Sequence, residues 1–232
     1  MRLNTLTPLF ALGTFAALAP SSWAQGILWS TPVDGSAFPW SVATQFDFDG
    51  DGSWDVLVGE PAVNLGGSPA SRIRIFSGTN GSVLATQTLF TGSGPHAEVV
   101  FFVGDVDQDG QVDYAVSSDA DYGVYSGATQ TFLHALSVTP NPATDIARVL
   151  GDITGDGIPD LMVSNPWWTS SHLTVCSGAD GSQVYSIPLP GSWSIERLGD
   201  LNADGVDEVI VGRPFLSPIV VLPDNDCGGA CS

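Results

Sequence analysis

Lysine is absent from this 232-residue chain, and its six basic residues, all arginine, face 25 Asp and Glu for a formal charge of −19. Nucleic acid and anionic membrane surfaces call for basic patches, so this balance excludes both as partners. Cysteine is nearly as scarce, and three residues make no disulfide framework. Cys227 and Cys231, in C-G-G-A-C, could close a small loop in an oxidising compartment or stay reduced; two sulfurs without a nearby histidine are too few for a metal site. Cys176, inside L-T-V-C, reads as a small packed hydrophobe. Charged residues are few (13%) and helix formers scarce, whereas 27 glycines and 16 prolines punctuate many short apolar runs. That is the pattern of an all-β chain of short strands and turns.

Long hydrophobic runs are also lacking after the first residues. The opening, MRLNTLTPLFALGTFAALAPSSWAQ, has one positive charge at Arg2, an apolar stretch to about Ala19 and a small-residue end at Ser22-Trp23-Ala24. This is the form of a secretory signal spanning 1–24. A membrane anchor is the alternative, weakened by the short stretch and by Pro8 and Gly13. The remainder, 25–232, is expected to be one secreted or periplasmic domain without membrane insertion.

What the chain does have is carboxylates in register. Asp47–Asp55 reads D-F-D-G-D-G-S-W-D, Asp105–Asp113 D-V-D-Q-D-G-Q-V-D, Asp152–Asp160 D-I-T-G-D-G-I-P-D, and Asp200–Glu208 D-L-N-A-D-G-V-D-E. Each carries an oxygen-bearing side chain at places one, three, five and nine, and glycine at place six. Like charges this close cost free energy unless a cation neutralises them or the turn is fully solvated. Four matched copies favour the cation, and an all-oxygen set favours calcium. The expected ligands are Asp47, Asp49, Asp51 and Asp55 with the Ser53 carbonyl; Asp105, Asp107, Asp109 and Asp113 with that of Gln111; Asp152, Thr154, Asp156 and Asp160 with that of Ile158; and Asp200, Asn202, Asp204 and Glu208 with that of Val206. Up to four Ca2+ ions are implied, and 14 of the 25 acids occupy ligand places, so the acidity reads as ligand supply. An EF-hand is excluded. Its loop closes with a Glu at place twelve and is flanked by helices, whereas here place twelve is Val58, Val116, Val163 or Val211 within a strand-like run.

The loops recur at a period of about fifty residues, the mark of propeller blades. An apolar or alternating run precedes each loop and another follows it. Three units add a third run ending in Ser-Gly (at Ser77, Ser126 and Ser177), then a turn and a fourth run. Each unit thus supplies strands A to D, with the acidic loop between A and B. The longer first unit is ascribed to an expanded B–C connection, V-N-L-G-G-S-P-A-S.

These residues resemble the FG-GAP repeats of integrin α-subunit propellers and secreted bacterial proteins. The first unit carries most of the likeness: Phe38, Ser41-Val42, the acidic loop and Gly59-Glu60-Pro61 fall where the family has Phe-Gly, Ser-Val, the calcium loop and Gly-Ala-Pro, with Pro39 in place of the name-giving glycine. The resemblance implies a calcium-binding β-propeller used in recognition or adhesion. Integrin-type propellers have seven blades, for which this chain is too short. The fourth unit lacks a strand D, and Ile27–Ser30 stands as far ahead of its loop as Phe132 stands ahead of the third. The expectation is a ring of four four-stranded blades, possessing no open edge, in which Ile27–Ser30 completes the last. The rival is an open arc completed by a second chain, or a piece of a longer protein.

No nucleophile elbow, metalloprotease helix or phosphate loop is present. His96, His134 and His172 lie in different units at unmatched positions; His134 reads as an outward strand residue and the other two as loop residues. Trp40 and Trp193, equivalent in two units, are expected to pack between blades. Trp167-Trp168 has no counterpart and is the candidate ligand-face pair. Asn80-Gly81-Ser82 fits a glycosylation sequon and, better, a hairpin turn. The functional expectation is a recognition, adhesion or structural module with an extracellular protein or glycan partner, compatible with a monomer. A carbohydrate-active lyase or hydrolase, or a non-catalytic domain of one, is the alternative.

Overall fold

The computed structural model describes residues 27–31, 39–91, 96–119, 121–138, 146–164, 172–189, 194–201, 203, 207–213 and 217–222. The signal segment, Trp167, Trp168, Trp193, Cys227, Cys231, Asn202, Asp204 and Val206 lie outside them.

Every element among the described residues is a strand. The first sheet is β1 (Ser41–Ala43), β2 (Val56–Leu65), β3 (Ser68–Phe76) and β4 (Val83–Thr91); the second is β5 (Val100–Gly104), β6 (Asp113–Ser117), β7 (Tyr122–Tyr125) and β8 (Phe132–Leu136). The third is β9 (Ile146–Val149), β10 (Leu161–Ser164), β11 (His172–Cys176) and β12 (Gln183–Pro188), and the last is β13 (Ser194–Gly199), β14 (Glu208–Arg213) and β15 (Ser217–Leu222). All are antiparallel meanders in chain order, three of four strands and one of three. This is a β-propeller of blades built as the repeat pattern requires.

Three apolar seams hold the blades together. Leu57, Ile73 and Ile75 of the first pack on Val100, Phe102 and Tyr114 of the second. Val103, Ala115, Tyr122 and Val124 of the second pack on Ala147, Leu161 and Val163 of the third. Met162, Leu173 and Val175 of the third meet Ile195, Val209 and Val211 of the last. Strand alternation explains why the second and third blades can offer apolar residues on both sides, each to a different seam.

Two expectations need correction. The segment V-N-L-G-G-S-P-A-S is no loose connection: β2 and β3 run on as a hairpin past a bulge between Glu60 and Val63, pairing Leu65 with Ser68 around Gly66-Gly67. The longer first spacing is therefore extra strand, stabilised by its own ladder. Ile27–Ser30 is not a fourth strand of the last sheet either. It carries no ladder, Ile27 and Leu28 are exposed, and the Trp29 indole donates to the Gly78 carbonyl of the first blade at 3.0 Å. The residues that would close a ring form no closed sheet here.

Trp40 also departs from expectation, being 55% exposed rather than packed between blades. The face of β3 opposite the first seam holds charge instead of a hydrocarbon core. Glu60 is fully buried and accepts from both Arg72 and Arg74, and the Arg74 guanidinium lies 4.9 Å from the Phe76 ring centre.

Candidate metal centre

Each acidic loop leaves an inner strand A and enters strand B, and its shape is set before any cation is considered. In the first loop the Asp47 carboxylate accepts from the backbone N–H groups of Gly50, Asp51 and Gly52 at 2.7, 3.1 and 2.8 Å. Asp152 repeats this with Gly155, Asp156 and Gly157 at 2.7, 3.1 and 2.7 Å, and Asp105 with Asp109 and Gly110 at 3.0 and 2.9 Å. The glycine at place six has φ of 89°, 92° and 86° in these three loops, a left-handed turn that side chains resist. Place-one carboxylates thus nucleate the turn by gathering N–H groups that would otherwise point at solvent.

Place nine does a second job. Asp55 is fully buried; one of its oxygens accepts from Phe48 and Asp49 N–H at 2.6 and 3.2 Å and the other from Gly78 N–H at 2.9 Å. Asp113 takes Val106, Asp107 and Gly127, and Asp160 takes Ile153, Thr154 and Gly178, in the same arrangement. Glu208 accepts from Leu201 N–H in the last loop. Asp55, Asp113 and Asp160 thereby clamp their loops to the C–D turns. The recurrent Ser-Gly follows from this: a Cβ on Gly78, Gly127 or Gly178 would stand 1.8, 1.9 or 2.0 Å from the carbonyl oxygen ahead of the clamp.

The sequence reading counted place nine only as a ligand and missed this role. The cue was available, since the three Ser-Gly pairs keep step with the three clamps. A further feature was also missed. Place four, held by Gly50, Gln108, Gly155 and Ala203, has positive φ in all four loops, 76°, 60°, 79° and 63°.

Two sets of carboxylates converge. Asp47, Asp49 and Asp55 offer oxygens all within 4.8 Å of one another, and so do Asp105, Asp107 and Asp109. Oxygens around one calcium at about 2.3–2.6 Å lie within roughly 5 Å of each other, so either set fits one ion. Asp51 lies outside the first set; its carboxylate accepts from Ser53 N–H at 2.8 Å and from the Thr79 hydroxyl at 2.7 Å. Asp113 lies outside the second, committed to its clamp. The third loop supplies Asp152, Asp156 and Asp160 but has Thr154 for its second carboxylate, and its hydroxyl donates to Asp152 at 3.4 Å. In the fourth, Asp200 and Glu208 are described.

Electrostatics divide the acids by role. Burial pushes Asp113 up to about 6 against the pull of its Gly127 and Val106 N–H donors, and burial also raises Asp160. Asp51 is lowered by the Thr79 hydroxyl and Asp152 by the Gly157 N–H. Asp51 and Asp152 are therefore held as anions, whereas Asp49 is raised by desolvation and by the neighbouring carboxylates of Asp55, Asp51 and Asp47, and buried Asp113 and Asp160 are strained towards their neutral forms unless positive charge arrives.

Residues 47–116 match the FG-GAP-like repeat family, and residues 149–187 match the FG-GAP repeat. Over these two stretches the chain carries FG-GAP repeats. No curated relative matches it. Among solved structures these repeats are similar to the exotype rhamnogalacturonan lyase YesX, at 17% identity and TM-score 0.48, covering 78% of this chain and 40% of that one. They are also similar to the V. cholerae biofilm matrix protein Bap1, at 18% identity and TM-score 0.47, covering 81% and 32%. BBS1N, solved in complex with ARL6DN, is 14% identical with TM-score 0.47, covering 77% and 51%. This chain thus spans about a third to a half of each of these proteins.

His96 stacks on Phe90 with ring centres 3.9 Å apart, and its Nε2 lies 3.8 Å from Asp119. His134 is half-buried rather than outward, with Nε2 enclosed. Asn80-Gly81-Ser82 sits in the β3–β4 turn, where Asn80 accepts from Ser82 N–H at 2.8 Å.

Proposed function

We propose that this protein is an exported calcium-binding propeller that serves as a recognition, adhesion or structural module in an extracellular assembly. The observation that carries the calcium reading is the convergence of Asp47, Asp49 and Asp55, and of Asp105, Asp107 and Asp109, on two points of ion size. Oxygen-only donors on turns already folded by their own N–H contacts suit a hard divalent ion that tolerates irregular geometry. At about 1 mM calcium and a dissociation constant near 0.1 mM, each site would stabilise the fold by about 1.4 kcal/mol. Several such sites rival the roughly 5–15 kcal/mol margin of a typical domain. Thermal unfolding in millimolar calcium and in excess chelator tests this, with sedimentation on the same samples. A midpoint rise of several degrees supports the reading; identical midpoints refute it, and a calcium-dependent dimer would mark an open arc completed by a partner.

A further inference from the structure

Positive charge is rare enough in this chain for its placement to be informative. Four arginine side chains lie among the described residues. Arg72 and Arg74 are enclosed with Glu60. Arg148 and Arg197 are 40% and 47% exposed, and both stand on the wall of one cavity of about 480 Å3 at the loop end of the inner strands. Gln45 and Phe46 line it from the first blade, Val149 beside Arg148 from the third, and Glu196 to Gly199 from the last.

Each guanidinium is aimed but not spent. Arg148 gives Nε to Glu196 at 3.2 Å and Nη1 to the Ala147 carbonyl at 2.9 Å, while Arg197 forms an ion pair with Asp207. Among the described residues, Nη2 of Arg148 and both terminal nitrogens of Arg197 have no acceptor. The two acids fix the arginines and cancel their charge, leaving a neutral island with directed donors inside a molecule of charge −19. A planar anion of single charge matches such forks. The volume is that of a small-molecule site, and Phe46, Val149 and Leu198 supply apolar wall.

We propose that this cavity binds a small carboxylate-bearing molecule, its carboxylate taken by Arg148 and Arg197 and its body by the Phe46, Val149 and Leu198 wall. This deepens the recognition reading above. It is tested apart from the calcium reading, which is scored by the unfolding midpoint.

Calorimetric titration of the purified protein in millimolar calcium would use methyl glucuronoside and N-acetylphenylalanine, with methyl glucoside and N-acetylphenylalanine amide as neutral counterparts. One acid is expected to bind at a single site, at least about tenfold tighter than its neutral counterpart. Which acid binds identifies a sugar or a peptide-like source. R148Q is expected to weaken binding about tenfold and R148K less, since the point charge remains. R197Q is compared at equal unfolding midpoint because it also releases Asp207. Absence of binding by either acid, or equal binding of the neutral compounds, overturns the assignment. So does binding that survives both Arg→Gln changes and vanishes in chelator, which would put the carboxylate on a loop cation.

Discussion

Asp55 shows at the scale of one residue how a candidate ligand can be a structural part as well. Its two oxygens accept three backbone N–H groups, from Phe48, Asp49 and Gly78. An amide keeps one acceptor oxygen and presents N–H where the second stood, so D55N should cost about 1–3 kcal/mol even in chelator. Chemical unfolding without calcium checks this, and an unchanged midpoint would show that place nine acts through a cation alone. His134 gives the pH prediction. Burial lowers it despite the nearby Asp180, so the fold prefers the neutral imidazole. That preference stabilises fully above the ordinary value of about 6.5 and is lost as pH falls through the lower folded value. H134Q should therefore flatten the fall in stability below pH 6.5, and a parallel acid limb in wild type and variant would contradict it. At this scale the oxygen-bearing places were legible because chemistry demands those residue types. The left-handed place four was not, because Gln108 and Ala203 carry no sign of the φ they adopt.

Elements, and the ties between them, were legible where period and punctuation agreed. The runs V-L-V, Y-A-V, L-M-V and V-I-V all lie in strands B, because short branched segments behind a turn have no better state. The hairpin extension of β2 and β3 escaped because Gly66-Gly67 and Pro69 read as loop, although the glycine pair is also a two-residue turn. The contact between neighbouring loops left no periodic trace. The Gln111 side chain donates to the Phe48 carbonyl, joining place seven of the second loop to place two of the first. Ile158 and Val206 hold that place in the other loops and cannot form the bond. Ordering the second loop should therefore help order the first. Q111L is expected to weaken calcium binding at the first loop about fivefold, a coupling near 1 kcal/mol, while leaving the third loop unaffected. Calcium titrations of wild type and variant check it, and superimposable isotherms would remove the coupling.

For the whole molecule the question is what covers the outer face of the first blade. Each of the three seams buries branched side chains from both blades, whereas among the described residues the outer face of the first blade carries Glu60, Arg72, Arg74 and Phe76. Trp29 is the one described residue of the N-terminal segment that reaches this region, stacking on Phe76 with ring centres 6.4 Å apart. Its ring closes on Gly81 as His134 closes on Gly181 two blades away, so the segment follows a strand-D track beside the first blade without a strand-D ladder. Spacing could reveal the track, since Ile27 and Phe132 precede their loops equally. It could not reveal the missing ladder, which depends on where the last sheet stands. Trp29 therefore anchors the segment by side-chain burial and one indole hydrogen bond rather than by backbone pairing. W29A should cost about 2–3 kcal/mol, within the range of truncated aromatic anchors that are only partly enclosed, and should open the outer face of the first blade to solvent. Unfolding midpoints together with hydrogen exchange of β3 amides measure both effects. Full loss of stability without faster exchange in β3 would place the role of Trp29 elsewhere, whereas faster exchange there and unchanged protection in β10 and β11 would fix the anchor to the first blade.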